Sequence, residues 1–395
     1  MSEVALESAK SRTRESLALI ADEIVALSRD LHAHPELGLE ETRSSRVIVD
    51  AVERLTGVHS VLGLGSLPTA FRAETGTGEL VVTLCAEYDA LPGIGHACGH
   101  NVITAAAVGA FTLLAPLADE LGITVRLLGT PGEENAGGKS TMLKEGSFEG
   151  THAALMVHPG PLDALGMDSL ASGGIDIEFT GQQAHASAAP HEGINALDAM
   201  TIMLTAIGLA RQQLEPYQQI HGYVRHAGSA PNVIPGAAGG TWMARADTAE
   251  SLNRVMGVIR RCAEAGAHAT GAKVAFSEGD FRYLDLRPDA ALNAAYGENL
   301  AAMGRTTITM PKGGSTDMGN VSHEFPSIHP MIGFDAPTTL PHTVEFAALA
   351  GAEPGDRASL DGAVLLASTV IDAALNPELR TRLLAKNTLH TSVNA

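Results

Sequence analysis

Leu17, Ile20, Ile24, Leu27 and Leu31 recur at intervals of three and four, the spacing that lines one face of a helix, and His34-Pro35-Glu36 ends the run. The pattern predicts an amphipathic helix over residues 11–31, with His32 and His34 as caps at its carboxyl end rather than as ligands. A second helix is expected over 44–55. The pattern then alternates: a short strand at 68–73, a buried apolar strand at 80–86, a helix at 102–121, a strand at 124–130, a helix ending at 143, and an apolar strand at 153–158. Strands alternating with helices imply an α/β domain, a mainly parallel sheet flanked by helices.

Near Ala171 the pattern changes. A half-buried strand at 175–180 precedes a helix at 195–214 capped by Asn195. Strands at 221–224 and 240–246, a helix at 247–270 and a strand at 273–276 follow. That order, β-α-β-β-α-β, is the ferredoxin-like plan of a compact inserted domain. The chain then returns to the first domain through a helix at 290–303, the glycine-rich Lys312-Gly-Gly-Ser-Thr-Asp-Met-Gly-Asn320 and a helical tail at 360–384. Residues 1–170 and 286–395 are thus expected to form one domain, and 171–285 the other.

Composition excludes several functions. The 395 residues, 45% hydrophobic and 18% charged, can build cores for two domains. With 26 Lys and Arg against 45 Asp and Glu, the net charge of -19 repels phosphate backbones and anionic lipid, so neither nucleic acid nor a membrane is an expected partner. No eighteen uncharged apolar residues run together, and Met1-Ser-Glu-Val-Ala-Leu-Glu is not a basic-then-apolar signal, which favours the cytoplasm. Three scattered cysteines do not make a disulfide framework. Cys85 and Cys262 read as small buried hydrophobes; Cys98 is left for metal chemistry.

The chemistry gathers where strands end. After 80–86 comes Glu87-Tyr-Asp-Ala-Leu-Pro-Gly-Ile-Gly-His-Ala-Cys-Gly-His-Asn101, a glycine-flanked turn in which Cys98 and His100 can converge on a metal. Alone, Cys-Gly-His reads equally well as a buried thiol beside a capping histidine. After 124–130 comes Pro131-Gly132 with Glu133-Glu134 at the tip, a pair that elsewhere is usually a solvated turn. The third strand ends in His158, and Leu340-Pro-His342-Thr supplies one more imidazole. Cys98, His100, Glu134, His158 and His342 exceed the needs of one tetrahedral zinc and suit two divalent cations, roughly 3.5–4 Å apart, that share a ligand. A general base must then be a carboxylate beside the ligands, which the Glu133-Glu134 pair provides: one side chain ligates and its neighbour takes the water's proton. Asp89 is positioned to orient a ligating imidazole.

His96-Ala-Cys-Gly-His100, Gly129-Thr-Pro-Gly-Glu-Glu134, Met156-Val-His-Pro159, Gly181-Gln-Gln-Ala-His-Ala186, Asn232-Val-Ile-Pro235 and Arg245-Ala-Asp247 together resemble the dinuclear metallopeptidase and amidohydrolase family of aminoacylase, glutamate carboxypeptidase and the auxin-conjugate hydrolases. The resemblance runs in order over nearly the whole chain. Glu87-Tyr-Asp-Ala-Leu-Pro and Gly314-Ser-Thr-Asp-Met-Gly-Asn-Val-Ser322 are more similar to the branch of aminobenzoyl-glutamate hydrolases and β-alanyl-lysine dipeptidases. The resemblance implies that Cys98 bridges two cations, with His100, Glu134, His158 and His342 as terminal ligands and Glu133 as general base. It implies that the inserted domain is a lid and dimerisation module whose His185 stabilises the oxyanion in the partner's site. Asn232, Arg245 and Gly314 would contact substrate. The sequence leading to His342 lacks the family's glycine-rich approach, so His323 and His329 stand as alternatives.

The expected function is hydrolysis of the amide bond in a small N-acyl amino acid or dipeptide by a homodimer holding two cations per subunit, zinc first, with manganese or cobalt also suited to the donor set. A hydrolase of carbamoyl-type C–N bonds and a non-catalytic metal-binding regulatory module are the alternatives. Cys98 speaks against the first and Glu133 against the second.

Overall fold

The computed structural model describes residues 3–279 and 281–391. The chain divides into two compact units, one of Met1–Asp168, Leu286–Lys312 and Thr316–Ala395, the other of Ser169–Asp285 with Gly313–Ser315. The glycine-rich segment expected wholly in the first unit thus lends three residues to the second. There Leu170 N–H donates to Gly314 O at 2.9 Å, and Ser315 Oγ–H to Leu170 O at 2.8 Å.

The first unit is built on a six-stranded sheet in the order Ser60–Leu64, Leu67–Thr75, Ile123–Gly129, Leu80–Ala86, Ala153–Leu155, Ser327–Ile328. The first two strands run antiparallel to their neighbours and the remaining pairs are parallel. Leu80–Ala86 lies between two parallel neighbours and its side chains are almost all buried, which is why its sequence is continuously apolar rather than alternating. Helix Glu3–Ala33 starts earlier than its apolar pattern suggests and packs on His100–Leu114 and Glu353–Leu375. His100–Leu121 and Glu353–Leu375 are long and apolar enough to cross a membrane, yet 89% and 78% of their most apolar windows are buried inside the protein; their composition is that of core helices.

Several elements differ from expectation, the helical tail among them, which is two helices, Glu353–Leu375 and Pro377–Thr391, parted at Pro377. Ser60–Leu64 is an added edge strand, mostly solvent-facing, whose glycine and exposed face hide its period. The helix after the Cys-His turn ends at Leu114, because Pro116 forces a 3-10 turn before a short helix at Ala118–Leu121. Glu133–Ala136 is a short helix rather than a plain turn. The apolar run into His158 is two elements: Ala153–Leu155 belongs to the main sheet, while His158–Gly160 pairs in parallel with Met331–Gly333.

The second unit has the β-α-β-β-α-β order. Its sheet runs Lys273–Glu278, Ala171–Thr180, Ala237–Ala246, Gln219–Ala227, with every pair antiparallel. Ala196–Ala210, capped by Asn195 Oδ1 on Leu197 N–H, and Ala249–Thr270, capped by Thr248, pack against it. Ile175, Ile177, Phe179, Met203, Trp242 and Ile259 are buried in its separate core.

Candidate metal centre and active site

Three segments that leave the first sheet at strand carboxyl ends, joined by the loop before Val344–Ala350, gather the candidate ligands. Cys98, His100 and His158 offer donor atoms within 4.8 Å of one another, as do Cys98, Glu134 and His342, and His100, Glu133 and Glu134. Two tight backbone points make this possible. Gly99 has φ 78°, and a Cβ there would lie 2.5 Å from Pro159 Cγ; Gly132, with φ 68°, turns the chain before Glu133.

Both core imidazoles turn Nε2 towards the cluster; burial works against a charge on His100, but Asp89 and Cys98 outweigh it and raise its pKa well above the usual value. His100 Nδ1 lies 2.9 Å from Asp89 Oδ1, so Nδ1–H donates to the carboxylate and Nε2 faces inward. That Nε2 is buried with no hydrogen-bond partner among the described residues, 3.5 Å from Glu87 Oε2 and 3.8 Å from Glu134 Oε1. His158 Nδ1–H donates to Pro159 O at 2.7 Å, leaving Nε2 3.4 Å from Cys98 Sγ. Asp89 does two jobs, since its Oδ2 also accepts the Glu134 N–H at 3.0 Å and ties the two ligand turns together. His342 Nε2 stands 3.3 Å from Glu134 Oε1. Its backbone holds φ 64°, a costly conformation for a non-glycine residue, fixed by its N–H on Ala97 O at 2.8 Å. Among the described residues, His323 and His329 fall in no such group. His329 is buried with its ring stacked on His158 at 5.3 Å, and burial lowers its pKa to about 3. His34 caps its helix through Asp30 O at 2.8 Å, whereas His32 donates instead to Ala347 O at 2.7 Å.

The electrostatics separate the neighbouring glutamates. Burial, then the Glu87, Asp317 and Glu134 carboxylates, pushes the Glu133 carboxyl well above its usual range. Burial acts on Glu134 in the same direction, but the His342 hydrogen bond and the His100 charge outweigh it and hold that carboxyl low. Burial also pushes the Cys98 thiol up. A buried thiol and two imidazoles with Nε2 turned inward beside an ionised carboxylate fit divalent cations, whose binding displaces the thiol proton and the Nε2 proton of His100.

One residue of the site, Lys139, carries no sequence signal of its own. Lys139, on helix Gly138–Lys144, is fully buried with its Nζ 2.5 Å from Glu87 Oε1 and 2.7 Å from Asp317 Oδ1. Its own N–H donates to Asp317 Oδ2 at 2.9 Å. Glu87, Glu133 and Asp317 lie within 4.8 Å of one another, so this lysine is the counter-charge at the back of the site.

The remaining candidates lie in the second unit. Arg245 donates to Ser315 Oγ at 2.8 Å, beside Gly314. His185 and Asn232 are on facing loops: His185 bridges Val233, and Ala186 N–H donates to Asn232 O at 3.0 Å. His185 Nδ1 accepts from Ala188 N–H at 3.3 Å and Ser187 N–H at 3.4 Å, which leaves the proton of the neutral ring on Nε2.

The sequence pattern of peptidase family M20/M25/M40 matches residues 83–353, a span that holds every one of these ligands. The chain belongs to this family. It is 36% identical over 394 residues to the Xaa-Arg dipeptidase of Mus musculus, covering 95% of this chain and 91% of that protein. It is 32% identical over 262 residues to a p-aminobenzoyl-glutamate hydrolase polypeptide of Escherichia coli K12, covering 61% of this chain and 54% of that polypeptide. A dinuclear metal-binding M20 peptidase from Bacillus subtilis superposes with a TM-score of 0.65 at 25% identity, covering 88% of this chain and 99% of that one. M20 membership and the ligand cluster make the protein a metal-dependent amidohydrolase.

Proposed function

We propose that the protein hydrolyses the amide bond of a dipeptide or N-acyl amino acid, with a basic carboxyl-terminal residue the first to test because the mouse relative is an Xaa-Arg dipeptidase. The observation that supports this reading is the cluster of donors from Cys98, His100, Glu134, His158 and His342, with Glu133, a buried carboxyl raised by its surroundings, beside Glu134. Cys98, His100, Glu134, His158 and His342 would hold two divalent cations, zinc first, with Cys98 shared; manganese and cobalt also suit these donors. Bound there, the cations would supply Lewis acidity and lower the pKa of water. Glu133 accepts the proton of the attacking water as its oxygen bonds to the carbonyl carbon. It then delivers that proton to the amide nitrogen as the C–N bond breaks. Asp89 keeps His100 in the tautomer that points Nε2 inward. Arg245, with Asn232 and Gly314, is assigned to the substrate's carboxylate and carbonyl.

The reading extends to a homodimer. Gln219–Ala227 is an edge strand with Tyr223 63% and Val224 38% exposed, and helix Ala196–Ala210 leaves Ile202, Leu204 and Leu209 uncovered. A second copy covering these faces would bring His185, its Nε2–H free to donate, to a neighbour's oxyanion. Three buried free cysteines accord with a reducing, cytoplasmic setting. The deciding experiment is a panel of dipeptides and N-acyl amino acids assayed after chelation and reloading with zinc, manganese or cobalt. Metal-dependent release of a free amino acid is expected; no turnover with any metal contradicts the proposal.

A further inference from the structure

The segment between the first two helices reaches the site from a direction that none of the family motifs covers. Ala90 N–H donates to Glu36 O at 2.8 Å and Leu37 bridges Ala90 in parallel, so the segment is joined to the turn carrying Asp89 and Cys98. At its end stands Glu41, fully buried, where carboxylates are rare. Glu41 occupies the N-cap position of helix Thr42–Thr56 yet makes no capping hydrogen bond to it. Glu36 does that work instead, accepting Arg43 N–H at 3.0 Å and Ser44 N–H at 2.7 Å.

Released from its own helix, the Glu41 carboxylate turns to the site. Oε1 accepts the Gly132 N–H at 2.8 Å and Oε2 accepts the Thr69 hydroxyl at 3.0 Å. Gly132 immediately precedes Glu133, and its backbone lies against the same segment: a Cβ on Gly132 would sit 2.9 Å from Leu39 Cδ2, and one on Gly38 would sit 3.0 Å from Gly132 Cα. Burial, with the nearby Asp89 charge, pushes the Glu41 carboxyl up to about 7. Tyr88, whose hydroxyl donates to Thr69 O at 2.7 Å, is the other titratable group facing it. A capping-position carboxylate buried at that cost, and bonded to the amide before the base, has a reason to be there beyond closing a helix.

We propose that Glu41 is a positioning residue: by holding the Gly132 amide it fixes the direction in which Glu133 leaves the turn, and so the aim of the general base. This rests on Glu133 being the base. A misplacement of about 1 Å at a reacting group is enough for losses of up to about 100-fold in turnover. Gln in place of Glu41 keeps an acceptor for Gly132, and its amide can donate to a Thr69 hydroxyl that rotates to accept. Ala keeps neither.

The test uses the full chain with its metals, as wild type, Glu41→Gln and Glu41→Ala. In Glu41→Ala, hydrogen exchange of peptides covering residues 130–136 should quicken at least about tenfold while Leu80–Ala86 stays protected; Glu41→Gln should match wild type. On a turned-over substrate, Glu41→Ala should lose about 10- to 100-fold in kcat with KM and metal content within about twofold, and Glu41→Gln should recover to within about threefold of wild type. Unchanged exchange in Glu41→Ala overturns the clamp. A kcat within twofold of wild type, or a loss shared by Glu41→Gln, overturns its service to the base. A wild-type chain silent on every substrate would refute the hydrolase reading instead, and the exchange comparison, which needs no substrate, would still decide the clamp.

Discussion

Replacing Lys139 by Met should destabilise the protein strongly at neutral pH and much less in mild acid. Lys139, Glu87 and Asp317 are all buried, and one ammonium serves two carboxylates at 2.5 and 2.7 Å. Burial works against the lysine's charge, but Asp317 and Glu87 outweigh it and raise its pKa; Glu87 in turn is held low, while burial takes Asp317 up to about 6 despite the lysine. Met preserves the length of the side chain and removes the charge, so at least one carboxylate must bind a proton to remain buried. Protonating a carboxyl of ordinary pKa about 4.3 at pH 7 costs about 3.7 kcal/mol, within the range of about 3–5 kcal/mol for breaking a buried ion pair. At pH 5.5 the same proton costs only about 1.6 kcal/mol. Urea unfolding of the chelated protein at the two pH values should therefore show a deficit that shrinks by about 2 kcal/mol in acid, and Glu87→Gln added to Lys139→Met should recover more than half of the pH 7 loss. A Lys139→Met chain within 1 kcal/mol of wild type at pH 7, or a deficit independent of pH, refutes the charged triad.

Cys98→Ala should retain at most one divalent ion per chain and lose turnover with it, since the shared thiolate is gone; two ions per chain by metal analysis would remove Cys98 from the shared position. Glu41 sets a pH dependence of stability. Its folded pKa of about 7 lies above the usual 4.5, so its contribution is present in full below about pH 4.5 and lost as pH rises through 7. Wild type measured against Glu41→Gln should therefore weaken by up to about 3 kcal/mol between pH 4.5 and 8, and a constant difference would contradict the buried carboxyl. Mixing His185→Ala with Glu133→Gln under subunit exchange should restore activity towards the share of mixed dimers; verified exchange without recovery places His185 outside the partner's chemistry.

Leu80–Ala86 is legible because a strand buried on both faces is apolar throughout, and the candidate residues just beyond such strands, Cys98, His100, Glu133 and Glu134, lie where sheet geometry exposes ligands. Ser60–Leu64 is not legible because an exposed edge strand containing a glycine has no apolar period. Nor is the split at His158, because an apolar run does not reveal that its partner changes from Leu80–Ala86 to Met331–Gly333. The buried charges were hidden for a different reason. Lys139 pairs with Asp317, 178 residues on, and Glu41 with Gly132, 91 residues on; in sequence each reads as an ordinary polar position, and only the fold removes its water.

In the proposed mechanism neighbouring glutamates divide the work, Glu134 holding metal and Glu133 moving the proton. Side-by-side metal analysis and kinetics of Glu133→Gln and Glu134→Gln on a substrate found in the panel test it most directly. Glu133→Gln should keep its metal complement and a KM near wild type while kcat falls by at least about 100-fold, because the amide preserves shape but accepts no proton. Glu134→Gln should lose metal first and recover part of its activity when metal is supplied in excess. Two variants that lose metal alike, or a Glu133→Gln enzyme within tenfold of wild type, would contradict the account.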